Sequence, residues 1–269
     1  MILGELIIKA LKYFPRRIKA KLLGDIPYQI HDLNTKVDKT HLFLKLFTEM
    51  HGNADFQGQL DQDLLVYLYF KGRKNGFFLD IGANDGKTGS NTYALEQLGW
   101  TGACVEPLPD IFLELKQNRT CDCYNVAISD NSGEEVEFLR APAHTLSGLA
   151  SQMSEAHKNR ILYGDGGGRI DSIKVKTLSF DDLMNQYPPM QCTHIDFMSI
   201  DTEGSELSIL KTIDFTKYRF GLITVEDNKE FPGSGEQLKK FMEQNGYGVL
   251  IELGWDVVFV PNNRSNGDE

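Results

Sequence analysis

Asp80, Glu106, Asp201 and the run Glu226-Asp227-Asn228 each follow or close a short apolar stretch of this chain. A carboxylate in such a place can hold a cation, accept a pair of hydroxyl groups or take up a proton. Thr202-Glu203-Gly204 comes directly after Asp201 and adds a further acid, either a base or a cap for a helix starting near Ser205. Ahead of these stands FFLDIGANDGKTGSN at 77–91, an apolar run, a glycine turn and the start of a helix. Gly82 and Gly86 let the backbone approach a ligand closely, and the free N–H groups of the helix start make that end positive. Their spacing is GxxxG, which departs from the GxGxxG turn that cradles a pyrophosphate.

The elements that must carry these residues alternate along the chain. Strands are expected at 77–81, 102–105, 123–128, 195–200 and 220–225, separated by helices at 91–98, 110–118, 179–186, 205–212 and 235–245. A helix at 60–72 precedes the first strand, and strands at 247–252 and 255–260 form a closing hairpin about Leu253-Gly254. Strands joined by such helices build a mostly parallel sheet covered on both faces, with the hairpin adding an antiparallel strand. Segments 136–140 and 173–177 pair around an insertion at 141–171, whose GDGGGR run reads as a mobile loop. His144 and His157 lie within it. In a sheet of this kind ligands bind beyond the carboxyl ends of the strands, where strand order reverses. Several acids therefore arrive at one crevice.

Composition narrows the ligand. The chain has 269 residues, 41% of them hydrophobic, and sets 38 acids against 28 Lys and Arg for a net charge of −10. That balance argues against a nucleic-acid partner. Four cysteines make no disulfide framework, and Cys121 with Cys123 lacks the second pair of a metal site, so these read as small strand residues. No apolar run reaches the roughly 18 residues of a spanning helix, and no signal-peptide cleavage pattern is evident, so a cytoplasmic location is expected. Residues 1–58 read as a helical extension and 263–269 as a disordered tail, leaving 59–262 as the domain. Within 1–24 an apolar stripe faces six cations, Lys9, Lys12, Arg16, Arg17, Lys19 and Lys21. It suits packing on the domain or on a second subunit of a homo-oligomer better than peripheral membrane contact, because Pro15 interrupts it. At the second strand end, Glu106 is placed to accept both hydroxyls of a ribose. Asp80 and Asp85 in the turn disfavour phosphate. S-adenosylmethionine, with cationic sulfonium and ammonium groups, fits that electrostatics better than NAD.

The same segments carry a resemblance. FFLDIGANDGKTGSNT, GWTGACVEPLPDIFLELKQNR, NVAISDNSGEEVEF, TLSFDDL, DFMSIDTEGSELSIL and ITVEDN together resemble the FkbM family of S-adenosylmethionine-dependent methyltransferases, from about residue 59 to 260. The likeness implies a class I methyltransferase fold, a Rossmann-like sheet of seven mostly parallel strands with an antiparallel terminal hairpin. It also implies methyl transfer to an oxygen, often of a sugar or a polyketide-like product, and so a small-molecule or glycan substrate, such as a nucleotide-linked sugar or a polysaccharide. Carried over by position, Asp80, Gly82, Asn84 and Gly86 line the methionine side, with Ser90 and Asn91 beside them. Glu106 holds the ribose, and Ala127, Ile128 and Ser129 lie by the adenine. Asp201, Asp227 and Asn228 look like the metal triad of the catechol O-methyltransferase type, which would hold Mg²⁺ or another divalent ion. The FkbM pattern often has a His where this chain has Asp227, and either residue can ligate a metal or act as a base. Asp201, Glu203 and Asp227 are thus the catalytic candidates. Two other readings use the same sheet: a nicotinamide-dependent oxidoreductase, and a non-catalytic cofactor-binding module of a glycan-assembly complex.

Overall fold

A computed structural model of the chain describes residues 54–186, 193–227 and 234–262. They belong to one compact unit that starts at Ala54. The helical extension expected before residue 54, the tail at 263–269, Cys192 and Asn228 lie outside the described residues.

Phe77–Ile81 (β1) is buried along almost its whole length, as a run with one acid among apolar neighbours requires in the middle of a sheet. It pairs in parallel with β2 (Thr101–Val105) on one side and β8 (His194–Ile200) on the other, so that Asp80 faces Cys104 and Ser199 across the two ladders. β3 (Asp122–Tyr124) extends the β2 side, and β9 (Arg219–Glu226) extends the β8 side. The hairpin of β10 (Tyr247–Leu253) and β11 (Asp256–Pro261) completes a seven-stranded sheet in the order β10-β11-β9-β8-β1-β2-β3. β11 runs antiparallel to both its neighbours, and the other ladders of this sheet are parallel. Strand order reverses at β1, and there the crevice opens.

Helices cover both faces: α1 (Gln62–Tyr69), α2 (Tyr93–Gln97) and α3 (Pro109–Asn118) in the first half of the chain. The main core gathers Leu79, Ile81, Met198, Ile200, Ile223 and Val225 from the sheet with Leu183, Leu210 and Met242 from helices. No helix among the described residues is long and apolar enough to cross a membrane.

Two expectations need correction. The single strand expected at 123–128 is two, β3 and β4 (Ala127–Ser129), in different sheets. The side-chain amide of Asn125 donates to the carbonyls of Glu106 and Pro107 at 2.9 and 3.0 Å and fixes the chain where it turns from one sheet to the other. β4 then joins β7 (Asp171–Ser179), β5 (Glu135–Arg140) and β6 (Gly148–Leu149) in a second sheet of order β4-β7-β5-β6. The insertion, in turn, is a built element. It holds β6 and α4 (Glu155–Tyr163), whose first turn is capped by Ser154 Oγ accepting the His157 N–H at 2.9 Å. Ala141, Leu146, Met153 and Ile161 give it a small core of its own. The glycine-rich run packs because Gly166 comes so near α4 that a Cβ there would lie 2.3 Å from the Ile161 Cα.

Among the described residues four more α-helices follow. They are α4 above, α5 (Phe180–Gln186), whose Asp182 N–H donates to Ser179 Oγ at 3.1 Å, α6 (Glu206–Thr212) and α7 (Ser234–Gln244).

Candidate functional site

The loop after β1 is shaped by two glycines with different neighbours. Gly82 has φ +89°, and a Cβ on it would sit 1.7 Å from the carbonyl oxygen of Asp201. The Asp201 N–H donates to the Ile81 carbonyl at 3.0 Å, so the tips of β1 and β8 are joined at this point. Gly86, at φ +75°, faces away from the crevice, where a Cβ would meet Leu115 and the Arg119 stem. Gly86, expected on the methionine side, therefore lies outside the cavity lining, which its loop neighbours Gly82, Ala83 and Asn84 reach.

Arg119, the last residue of the GWTGACVEPLPDIFLELKQNR segment and given no role there, holds this loop from behind. Its guanidinium is buried and donates to the Gly86 carbonyl at 3.1 Å and to Thr92 Oγ1 at 3.0 Å, and it pairs with Glu96. Thr92 passes the contact on, donating to Asp80 Oδ2 at 2.6 Å. Burial raises the Asp80 carboxyl above its ordinary range, while Thr92 and Arg119 oppose the rise. Glu106 is gripped by backbone: the Asn84 N–H reaches one oxygen at 3.1 Å and the Leu108 N–H the other at 2.8 Å. Asn84 takes φ +51° in this arrangement. Burial pushes the Glu106 carboxyl up to about 7 despite these two donors.

A cavity of about 350 Å³ lies over the strand tips, within the range of small-molecule sites. Asp80, Gly82, Asn84, Ser90, Asn91 and Glu106 line its β1–β2 side, and Ala127 and Ile128 line it further along. Ser129 lies outside the lining, its hydroxyl donating to Asp130 at 3.0 Å. Asp201, Glu203, Glu226 and Asp227 close the β8–β9 side. The insertion supplies a further wall, including His144, Leu146 and Arg160.

The acids on the β8–β9 side are crowded. Asp201, Glu203 and Glu226 can each bring an oxygen within 4.8 Å of the others. The Asp201 side chain is open to the cavity yet ringed by protein, and its carboxyl is pushed up to about 8, first by desolvation and then by Glu206, Asp256 and Asp80. Glu226 is raised by the same desolvation and by Asp201 and Glu203. A hydrogen bond with Glu226 opposes the rise at Asp201, while the Asp201 charge adds to the rise at Glu226. The expected metal ligands were Asp201, Asp227 and Asn228, the last of which lies outside the described residues; Glu203 and Glu226 are the acids gathered about Asp201 here. Successive strand residues point opposite ways, so Glu226 turns into the cluster while the Asp227 carboxylate lies against Gly235 in the first turn of α7.

Glu203 stands at φ +56°. The cap expected of it is made by Glu206, which accepts the N–H groups of Thr202 and Gly204 at 2.8 and 3.0 Å. His157, which lies in the insertion read as a mobile loop, is 1% exposed and sets Nδ1 3.7 Å from Glu203 Oε2, with Nε2 2.9 Å from the Leu146 carbonyl.

The donor set fits S-adenosylmethionine. Glu106 retains lone pairs for a ribose diol. Asn91 donates its amide to Ser199 Oγ at 3.0 Å, which leaves its buried carbonyl oxygen without a partner among the described residues, an acceptor suited to an ammonium group. Ser205 Oγ, also on the cavity wall, is likewise unpartnered among the described residues.

A family model of the methyltransferase FkbM domain matches residues 80–249. Among solved structures, a Staphylococcus aureus protein described as a caffeoyl-CoA O-methyltransferase shares 11% identity at a TM-score of 0.41, covering 88% of this chain and 98% of that one. A Pyrococcus horikoshii protein described as an RNA methyltransferase shares 13% at a TM-score of 0.37, covering 77% and 83%. The precorrin-6y C5,15-methyltransferase of Geobacter metallireducens GS-15 shares 11% at 0.36, covering 74% and 85%. No curated protein matches the chain. With well over half its length matched by that family model, and a strand-tip cavity whose acids suit a cationic donor, this chain belongs to the FkbM family of S-adenosylmethionine-dependent methyltransferases.

Proposed function

We propose that the chain methylates a hydroxyl group of a sugar, either nucleotide-linked or within a polysaccharide. The observation that carries this reading is the trio Asp201, Glu203 and Glu226 at the cavity end of β8 and β9. A hydroxyl is a poor nucleophile at neutral pH, and a carboxylate beside it can take its proton as the new bond forms. S-adenosylmethionine, when bound, supplies a methyl group activated by its sulfonium. In this reading Asp80, Gly82, Asn84, Ser90 and Asn91 hold the methionine end, Glu106 the ribose, and Ala127 and Ile128 the adenine. Glu203, or Asp201 once its raised carboxyl has ionised, receives the proton, with Asp227 at the rim toward the acceptor. The walls of the insertion exclude water and orient the acceptor for in-line attack.

A divalent cation is a second use of the same acids. Three carboxylates within 4.8 Å make a hard oxygen set of the kind Mg²⁺ takes, with Asp201, Glu203 and Glu226 as the holding residues. The ion would lower the pKa of the acceptor hydroxyl.

Incubation with labelled S-adenosylmethionine and a panel of nucleotide sugars, with and without chelator, tests both. Label in an alkali-stable methyl ether of the sugar is the expected product. Label on nitrogen or carbon acceptors alone would overturn the O-methyl reading, and turnover indifferent to chelator would remove the cation. Turnover of a hydroxy substrate with a nicotinamide cofactor would favour the oxidoreductase alternative. Donor binding with no transfer to any acceptor would favour the non-catalytic module.

A further inference from the structure

Behind the donor loop, three of the four cysteines meet at the β2–β3 edge of the large sheet. Cys104 on β2 is fully buried, and its Sγ lies 3.6 Å from that of Cys121, which is partly exposed just ahead of β3. Cys123 stands opposite Cys104 in the ladder, but its thiol turns to the Cys121 carbonyl at 3.4 Å. Cys121 lies two residues before the register partner of Cys104, so the two sulfurs meet diagonally across this edge and closing a disulfide moves the backbone at Cys121. Arg119 sits two residues before Cys121, and its charge is felt by both Cys104 and Cys121. A nearby cation is what makes a thiol reactive. The hydrogen bond from Cys104, helped by Arg119, holds the Cys121 thiol well below its ordinary range.

We propose that Cys121 and Cys104 form a peroxide-sensitive dithiol whose closure to a disulfide loosens the grip of Arg119 on the donor loop and weakens donor binding. The second half rests on reading the cavity as the donor site. The Cys121 thiolate attacks one oxygen of hydrogen peroxide, the O–O bond breaks, and the departing hydroxide takes a proton to leave as water. The resulting sulfenic acid is attacked by Cys104 sulfur, which gives up its proton as the S–OH bond breaks and a second water leaves. Two thiols and one peroxide thus become one disulfide and two waters, the sulfurs losing two electrons.

The consequence for the loop is geometric. The two sulfurs must close from 3.6 Å to about 2.05 Å, which draws the α3–β3 connection toward β2. Arg119 lies on that connection and is the donor to Gly86, Ser90 and Thr92. Its movement releases the loop that Asn84, Ser90 and Asn91 present to the cavity.

The test treats the full chain with hydrogen peroxide and follows free thiols, linked peptides and binding of S-adenosylhomocysteine. Two of the four thiols should disappear, return on reduction, and map to a peptide joining Cys104 to Cys121. Cys121→Ser and Cys104→Ala should each abolish the link, and Cys192→Ser should leave it. Binding should weaken about tenfold on oxidation and recover on reduction. A link through Cys123 instead, or a thiol loss that persists in Cys121→Ser, overturns the dithiol. A mapped link with unchanged affinity overturns the coupling to the loop. Failure of the reduced protein to bind S-adenosylhomocysteine overturns the donor reading and the coupling with it, while the peptide map still judges the dithiol.

Discussion

The two sides of the cavity handle their acids in opposite ways. On the β1–β2 side Asp80 and Glu106 are each held by protein donors, one through Thr92 to a buried arginine and the other by two backbone N–H groups. On the β8–β9 side Asp201, Glu203 and Glu226 face one another, and burial with mutual repulsion lifts the carboxyls of Asp201 and Glu226. An acid that is satisfied internally serves to shape a loop and hold a ligand in one pose. Acids that are crowded are poised to exchange protons or bind a cation, since their unfavourable contacts ease when either arrives. In the proposed function, positioning and chemistry are thus divided between the two walls.

That division can be broken most severely on the quiet side. Arg119→Ala removes the cation from a buried pair and leaves Glu96 and the Gly86 carbonyl short of a donor, so a loss of about 4 kcal/mol is expected, read as a drop in the denaturant midpoint. An unchanged midpoint would mean that the loop stands without the clamp. Asp201→Asn should act the other way round. Methyl transfer is expected to fall about 100-fold, measured with labelled donor, while at pH 9 the variant becomes more stable than the parent. The sign follows from the raised carboxyl: above pH 8 the native Asp201 is charged against Glu206, Asp256 and Asp80, and asparagine is not. A destabilised variant at pH 9 would contradict the crowding.

Glu106 sharpens the comparison by its pH dependence. Its folded carboxyl titrates near 7 rather than 4.5, so the native state keeps a proton that the unfolded chain has lost. Stability should therefore decline as pH rises between those values, and donor affinity should rise over the same interval as the acceptor for the ribose becomes ionised. Calorimetric titration across that range checks it, and Glu106→Gln should flatten both trends. The smallest effect is expected at Ser205. Its buried hydroxyl has no partner among the described residues, so Ser205→Ala should change stability by less than about 0.5 kcal/mol. A clear loss of donor or acceptor affinity in that variant would identify Ser205 as a ligand contact.

Much of the frame was readable along the chain. Alternating apolar runs and helical stretches placed β1, β2, β8 and β9 to within a residue or so, because a strand buried on both faces has little freedom in composition. The acids at the strand tips were equally plain. Less legible were features that depend on side-chain direction or on a single distant contact. The 123–128 run is apolar enough for one strand, and only the reach of Asn125 back to Glu106 and Pro107 divides it. GDGGGR looks unable to pack until α4 is there for Gly166 to approach. His157 reads as a loop histidine until Ser154 caps a helix around it.

By itself, then, the order of residues determined the parallel sheet, its terminal hairpin, the glycine turn after β1 and the gathering of acids at one end. These follow from local periodicity and from the rule that places ligands beyond strand tips. The tertiary structure alone decided that Glu226 rather than Asp227 joins Asp201 and Glu203, that Arg119 holds the loop after β1, and that Cys104 meets Cys121. Each of those depends on which face a side chain takes and on how far a helix shifts along the sheet, quantities set by the packing of segments remote in sequence.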